Sequence, residues 1–344
     1  MGLYDQSLAL NWIKVNIAQF GGDSNNLVPF GQSAGAISIG ILMTMDSTKG
    51  LFSRAITASG GALLPGILTS KTVSNSEKFS KLVGCAVNRE FKTNTEKVVQ
   101  CLRRVPLNQL IEVSLLFHWY SIHQLLTPLT LLSNQVQSQI LDSSQVAFVP
   151  TPNGAFNDVN SPGNLLNDRN LFANMKELLA GLVPNEGSWL MHASSPQIFR
   201  RHTYPQLHTI DETRNMFVWY LTEKVGITAN IAPLIANSMI TGSEIDTPLN
   251  NINKLSQAMG DNSISCPTIY MADEMSARNK TVYMYLFDHK SNATKFGDWQ
   301  GVSHYEEVPF VFGYPLRRKQ LYSKHDITLS KRLMKIWSHF AKTG

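Results

Sequence analysis

The feature that most constrains this chain is the decapeptide NLVPFGQSAG (26–35). It sets a serine between two glycines, directly after a short apolar run and directly before a segment of helix-forming composition. One reading is a tight turn that needs small residues. The other is a nucleophile held on a bend between a strand and a helix, where a strained backbone lifts the hydroxyl of Ser33 above the edge of a sheet. Gly31 and Gly35 are expected to make that bend possible, because side chains at either position would collide with the neighbouring strand and helix. The helix that starts after Ser33 would aim the positive end of its dipole at negative charge developing beside the hydroxyl. The strand–turn–helix setting favours the second reading.

The rest of the chain supplies that setting. NLVPF reads as a short buried strand, SAGAISIGILMTM as a helix, and SRAITASGG as a strand ending in glycines. KELLAGLV (176–183) and TVYMYLFD (281–288) are two further strands, the latter a strong β run. YDQSLALNWIKVNIAQF has apolar residues at near-helical spacing and is stopped by Gly21-Gly22-Asp23. TLSKRLMKIWSHFAKTG is an amphipathic helix with Leu333, Ile336, Trp337 and Phe340 on one side. Strands alternating with helices imply an α/β architecture, a mostly parallel central sheet with helices on both faces. A composition of 43% hydrophobic and 16% charged residues suits a wide buried sheet and argues against disorder. Neither an internal repeat nor a dividing linker is visible, so residues 1–344 are expected to form a single domain.

Several function classes find no support. The net charge of +5 is spread along the chain without a run of Lys or Arg or a nucleic-acid motif, so no nucleic-acid partner is expected. The most apolar stretch, LLFHWYSIHQLLTPLTLL (115–132), is interrupted by His118, His123, Gln124 and Pro128, and reads as core or pocket wall rather than a transmembrane segment. MGLYDQSLAL lacks the basic and apolar regions of a signal peptide. Cys85, Cys101 and Cys266 lack metal-ligand spacing, and no metal or cofactor is expected. Cys85 and Cys101 enclose fifteen residues, a polar loop that a disulfide could close. Two glycosylation sequons, at Asn279 and Asn292, join that possible bridge in pointing to the secretory pathway.

A serine hydroxyl needs an imidazole base, and the base needs a carboxylate to fix its tautomer. In α/β-hydrolases the chain order is serine, acid, histidine. KELLAGLVPNEGSW offers Glu186 three residues beyond Val183, although a lone loop glutamate is by default a solvated one. Seven histidines follow it. The required loop after the last strong strand selects His289 and His304, with His325 weaker because KHDITLSK reads as a helix start. The pattern does not separate the two leaders.

At this point the residues resemble a known family. GLYDQSLALNWIKVNIAQFGGDSNNLVPFGQSAGA is similar to the nucleophile block of type-B carboxylesterases and cholinesterases, GLVPNEGSWL to their acid motif, and WQGVSHYEEVPFVFGYPL to their histidine motif. IWSHFAKTG resembles a late helix of the same family, so the likeness spans essentially the whole chain. It implies an α/β-hydrolase fold and a serine hydrolase that cleaves small-molecule carboxylic esters through an acyl-enzyme. It implies Ser33 as nucleophile, Glu186 as acid and His304 as general base, choosing His304 over His289. Ala34 would give one N–H to the oxyanion hole, and Ser59 matches a serine just behind the acid and base. Cys85 and Cys101 match a family disulfide, whereas Cys266 matches a cysteine whose partner lies beyond position 344 in cholinesterase relatives.

The departures from the family pattern also carry expectations. Relatives have a long segment ahead of the nucleophile block, with a secretion signal, early strands and a Gly-Gly oxyanion loop. The chain therefore reads as a partial member, truncated at both ends and lacking the early strands. A lost oxyanion donor costs on the order of 10²–10³ in rate. Gln32 stands where most relatives have Glu, removing a negative charge that helps bind choline groups. Trp189 stands at the cholinesterase cation site and could make a cation–π contact, although core filling is the simpler reading. Ser144 and Val146 fall where acetyl-selective relatives place bulky aromatics, which implies a roomier acyl pocket. The alternatives to a secreted carboxylesterase are a cholinesterase, a non-catalytic adhesion protein of the same fold, and a catalytically impaired fragment. Retention of Ser33, Glu186 and His304 argues against the adhesion protein.

Overall fold

The computed structural model describes residues 2–64, 72–86, 90–114, 172–242 apart from 197, 201, 204, 206 and 208, and 247–344. Helix α1 (Gly2–Asn16) runs into a short 3-10 turn, and Gly21, at φ 78°, ends it in the left-handed region that glycine adopts without strain. Strand β1 (Phe30–Gln32) bends into α2 (Ala34–Leu42), and β2 (Arg54–Ala58) follows. Helices α3 (Thr72–Leu82) and α4 (Thr95–Leu102) form an excursion before β3 (Glu177–Leu182) and α5 (Glu186–Ser194). Helices α6 (Ile210–Tyr220), α7 (Ala232–Met239), α8 (Pro248–Gly260) and α9 (Cys266–Ala277) then lead to β4 (Thr281–Leu286). A long loop with short helical turns reaches α10 (Lys324–Thr343).

The four strands lie in the order β1-β2-β3-β4, every neighbouring pair parallel. Alternation along β2 and β3 sorts side chains to two faces. Ala55, Leu178, Ala180 and Leu182 meet α2 and the Met271 and Met275 side chains of α9. Ile56 and Leu179 meet Trp337 and Phe340 of α10 on the other face. The result is a sheet with helices on both sides, as expected. Trp337 and Phe340 are buried while Ile336 is exposed, so the apolar stripe of α10 is narrower than its sequence suggests. Ser323 and Asp326 form a capping box that starts α10 at Lys324, where KHDITLSK reads as a helix start.

Two differences concern edges. The sequence reads NLVPF as a buried strand, yet the strand covers Phe30–Gln32 and is only partly buried, because it is an outer strand of the described sheet and Pro29 cannot donate to a ladder. Strand β4 forms as expected, but Tyr283, Met284 and Leu286 are exposed because β4 is the other outer strand. Similarly α1 forms, but Leu8, Trp12 and Val15 are exposed.

Cys85 and Cys101 are joined in a disulfide that ties the end of α3 to α4, around a small core of Val83, Ala86, Val98 and Val113. Cys266 is a free thiol. Asn279 and Asn292 are both exposed. Among the described residues no helix is long and apolar enough to cross a membrane. Ser144, Val146 and the apolar stretch 115–132 lie outside the described residues.

Candidate active site

Parallel strands deliver their following loops to one edge of a sheet, and the candidate residues follow these strand ends. Ser33 comes directly after β1 and Ser59 directly after β2. Glu186 lies just beyond β3, and His304 lies in the loop that follows β4.

Ser33 has φ 56° and ψ −120°, a conformation that L-residues adopt only under strain of about 1–3 kcal/mol. Its N–H donates to Ala58 O at 2.9 Å, so the β1–β2 ladder continues into the bend and holds it. A Cβ at Gly31 would lie 2.4 Å from the carbonyl carbon of Gly35, so no side chain fits there. At Gly35 an added Cβ would meet nothing within 4 Å. The expectation that both glycines make room is thus corrected: Gly31 is required by the backbone of Gly35, and Gly35 needs no side-chain space of its own. Ala34 opens α2 and is exposed. Its N–H is among the first-turn donors that lack an intrahelical acceptor.

Glu186 is only 1% exposed, so it is not a solvated loop carboxylate. Its Oε1 accepts the Val183 N–H at 3.0 Å, and its Oε2 accepts from His304 Nδ1 at 2.6 Å. Because an ionised carboxylate only accepts, Nδ1 carries a proton, and in the neutral imidazole the lone pair then lies on Nε2. His304 is 3% exposed. Local packing fixes this pair. Gly187 sits where α5 crosses α8, and a Cβ there would fall 1.9 Å from Ser256 O. The acid and histidine loops are also stitched together. Asn185 Oδ1 accepts from Val302 N at 2.9 Å, Asn185 N donates to Val302 O at 3.2 Å, and Ser188 Oγ donates to Ser303 Oγ at 2.9 Å.

Gln32 and Trp189 also lie against the imidazole. Gln32 Nε2 lies 3.1 Å from His304 Nε2. The Trp189 ring lies with its centroid 5.2 Å from that of His304, tilted by 33°. Trp189 is 37% exposed, which does not fit the core-filling reading: it flanks the histidine as a partly exposed side chain. Among the described residues Ser33 Oγ makes no hydrogen bond, and neither does the buried Oγ of Ser59. His289 pairs instead with Asp326 at 2.6 Å, among the rings of Phe287, Phe310 and His325.

Sequence reasoning missed Glu307. It is 1% exposed, and neither carboxylate oxygen has a partner among the described residues. Burial pushes its carboxyl up from 4.5 to about 7, opposed by its own backbone N–H and by His304, with Glu186 and Glu306 adding to the rise. Tyr285, whose ring covers Gly181, is raised well above its ordinary value by burial and by the charges of Glu307 and Glu186. Two adjacent glutamates in SHYEEVPF look like surface residues; the only hint to the contrary is the apolar run that follows. The Asn185–Val302 stitch leaves no local signal, since its partners are 117 residues apart. Among the described residues no group of three or more His, Cys, Asp or Glu is arranged to hold a metal.

A buried carboxylate, an imidazole whose Nε2 faces away from that carboxylate, and a strained serine next in chain to a residue touching that imidazole form an arrangement able to relay a proton. Residues 1–344, the whole chain, match the carboxylesterase family. The chain is 30% identical over 354 residues to the acetylcholinesterase of Bungarus fasciatus, covering 100% of this chain and 52% of that protein. It is 30% identical over 351 residues to acetylcholinesterase-1 of Trittame loki, covering 100% of this chain and 57% of that protein. It therefore spans about half the length of these relatives. With a parallel sheet clothed by helices and a family match from end to end, the chain belongs to the carboxylesterase family and has an α/β-hydrolase fold.

Proposed function

We propose that this chain carries the reacting groups of a carboxylic ester hydrolase that works through an acyl-enzyme. The observation that carries the reading is the 2.6 Å contact between His304 Nδ1 and Glu186 Oε2, both buried, beside the Ser33 bend. His304 Nε2 takes the hydroxyl proton as Ser33 Oγ attacks the ester carbonyl carbon. Glu186 holds the imidazole in the Nδ1–H tautomer and stabilises the imidazolium. The Ala34 N–H donates to the oxyanion of the tetrahedral intermediate, and the imidazolium returns its proton to the departing alcohol. Water, activated by the same imidazole, then releases the acid from Ser33. Ser59 lies behind this relay and Gly31 maintains the bend.

A second reading, hydrolysis of cationic esters, is favoured by one observation. Trp189 is a partly exposed aromatic beside His304, a residue type on which a quaternary ammonium could stack. The relatives' names, acetylcholinesterase, point the same way. The neutral Gln32 supplies no charge to assist such a cation, which places uncharged esters first. Ser144 and Val146 are proposed to shape a roomy acyl pocket. The chain is proposed to fold as one domain and to follow the secretory route, supported by its disulfide and by exposed Asn279 and Asn292 as glycan acceptors.

The test is labelling by a fluorophosphonate probe, with Ser33→Ala and His304→Ala as comparisons. Labelling at Ser33 that both substitutions abolish supports the reading, and labelling indifferent to His304 refutes it. Assay of acetyl and butyryl esters tests the acyl pocket, where a strong acetyl preference would contradict the roles of Ser144 and Val146.

A further inference from the structure

The lone pair on His304 Nε2 is the one that must receive the Ser33 proton, yet in this structure another group occupies it. Gln32 ends β1 and turns its carboxamide onto the ring, with Nε2 to Nε2 at 3.1 Å. An amide NH₂ can only donate, so in this contact His304 Nε2 is the acceptor and the amide N–H of Gln32 its donor, while Nδ1 serves Glu186 Oε2. An imidazole nitrogen has a single in-plane lone pair. Gln32 and Ser33 are therefore alternative partners for the same atom, and Ser33 Oγ makes no hydrogen bond among the described residues.

From this geometry we propose that Gln32 is a positioning residue that caps the base at rest and competes with Ser33 for it. The inference rests on the Ser33–His304–Glu186 reading above. The resting chain holds a neutral, capped imidazole. Substrate binding must move the Gln32 amide aside before the serine hydroxyl can donate to Nε2. Once the imidazole is protonated, the same side chain can serve it again, because a half-turn of the amide presents Oε1 to the Nε2–H. A carboxylate at this position could only accept, and so would hold the imidazolium. The titratable groups that face His304 are Glu186, on α5, and Glu307, in its own loop.

Two measurements on the full chain decide it. The first is the rate of fluorophosphonate labelling across pH for the native chain, Gln32→Met and Gln32→Glu. Methionine keeps the bulk and removes the donor, so labelling should accelerate roughly two- to tenfold, the worth of one neutral hydrogen bond. Glutamate should move the acid limb of the profile upward by about one pH unit or more, as an added neighbouring charge does. Equal or slower labelling of Gln32→Met with an unchanged profile would overturn the proposal. The second is the ¹⁵N resonance of His304 Nε2 in histidine-labelled chain, assigned with His304→Ala. It should shift in Gln32→Met as the amide donor is lost, and an unmoved resonance refutes the cap whether or not the chain reacts. A shifted resonance in a chain that never labels would retain the cap and refute the esterase reading instead.

Discussion

Glu307 offers a test whose size and sign both follow from the fold. A carboxyl that titrates near 4.5 in the unfolded chain and at about 7 in the folded one binds its proton more tightly when folded. Below the unfolded value the group is neutral in both states and costs nothing. As pH rises, the unfolded chain releases the proton first, so folding loses stability until the folded group ionises as well. Between about pH 5 and about pH 8 the loss attributable to this single group is about 2.5 kcal/mol, a large fraction of a marginal stability. Glutamine at 307 preserves shape and cannot ionise. Urea unfolding of the native chain and Glu307→Gln at both pH values isolates the effect, since titrations not coupled to Glu307 cancel in the difference. The variant should gain about 2.5 kcal/mol relative to the native chain on going from the lower pH to the higher one. A difference that does not change with pH would mean that Glu307 is ionised or solvated throughout, and the reasoning from its burial would fail.

Three further outcomes test how the site is held. Gly187→Ala drives a Cβ into Ser256 O and should cost about 1–3 kcal/mol in denaturant midpoint, with slower labelling of Ser33 because Glu186 moves with α5. Asn185→Ala removes the acceptor of Val302 N–H and should cost about 1–2 kcal/mol, with the His304 resonances broadened as the two loops separate. Reduction of Cys85–Cys101, which spans 16 positions, should lower stability by about 3 kcal/mol, read as a fall in unfolding midpoint with thiol titration as the control.

The sequence made the main elements legible because they rest on local rules. Gly-x-Ser-x-Gly after an apolar run marks a bend wherever it folds, and strands β2, β3 and β4 lie within a few residues of their apolar runs. Glu186 was legible only as a carboxylate after a strand; its burial depends on α8, which reaches Gly187 from about 70 residues later in the chain. His289 and His304 were indistinguishable by pattern, since both follow β4 and the carboxylate each meets, Asp326 or Glu186, is a matter of tertiary packing. The exposure of β4 was not legible because a continuous apolar run specifies a strand without specifying its place in the sheet. Glu307 and the direction of the Gln32 amide were not legible for the same reason: both are set by contacts with the other loops.

These two unforeseen residues bear on each other through the imidazole. His304 already faces one acid at 2.6 Å in Glu186 and a second, Glu307, that burial keeps largely neutral below about pH 7. A carboxylate at position 32 would add a third acidic neighbour and favour the imidazolium, so its effect must depend on how ionised Glu307 is. Charges that act on one titrating group are not independent. In the double variant Gln32→Glu/Glu307→Gln, the upward move of the acid limb of labelling should be smaller than in Gln32→Glu alone where the displaced limb reaches about pH 7 or above, because only there does Glu307 carry the negative charge that the variant withdraws. An equal displacement of limbs that reach above about pH 7 would place Glu307 outside the electrostatic reach of His304, and the stability effect of Glu307→Gln would then have to stand without any link to the chemistry at Ser33.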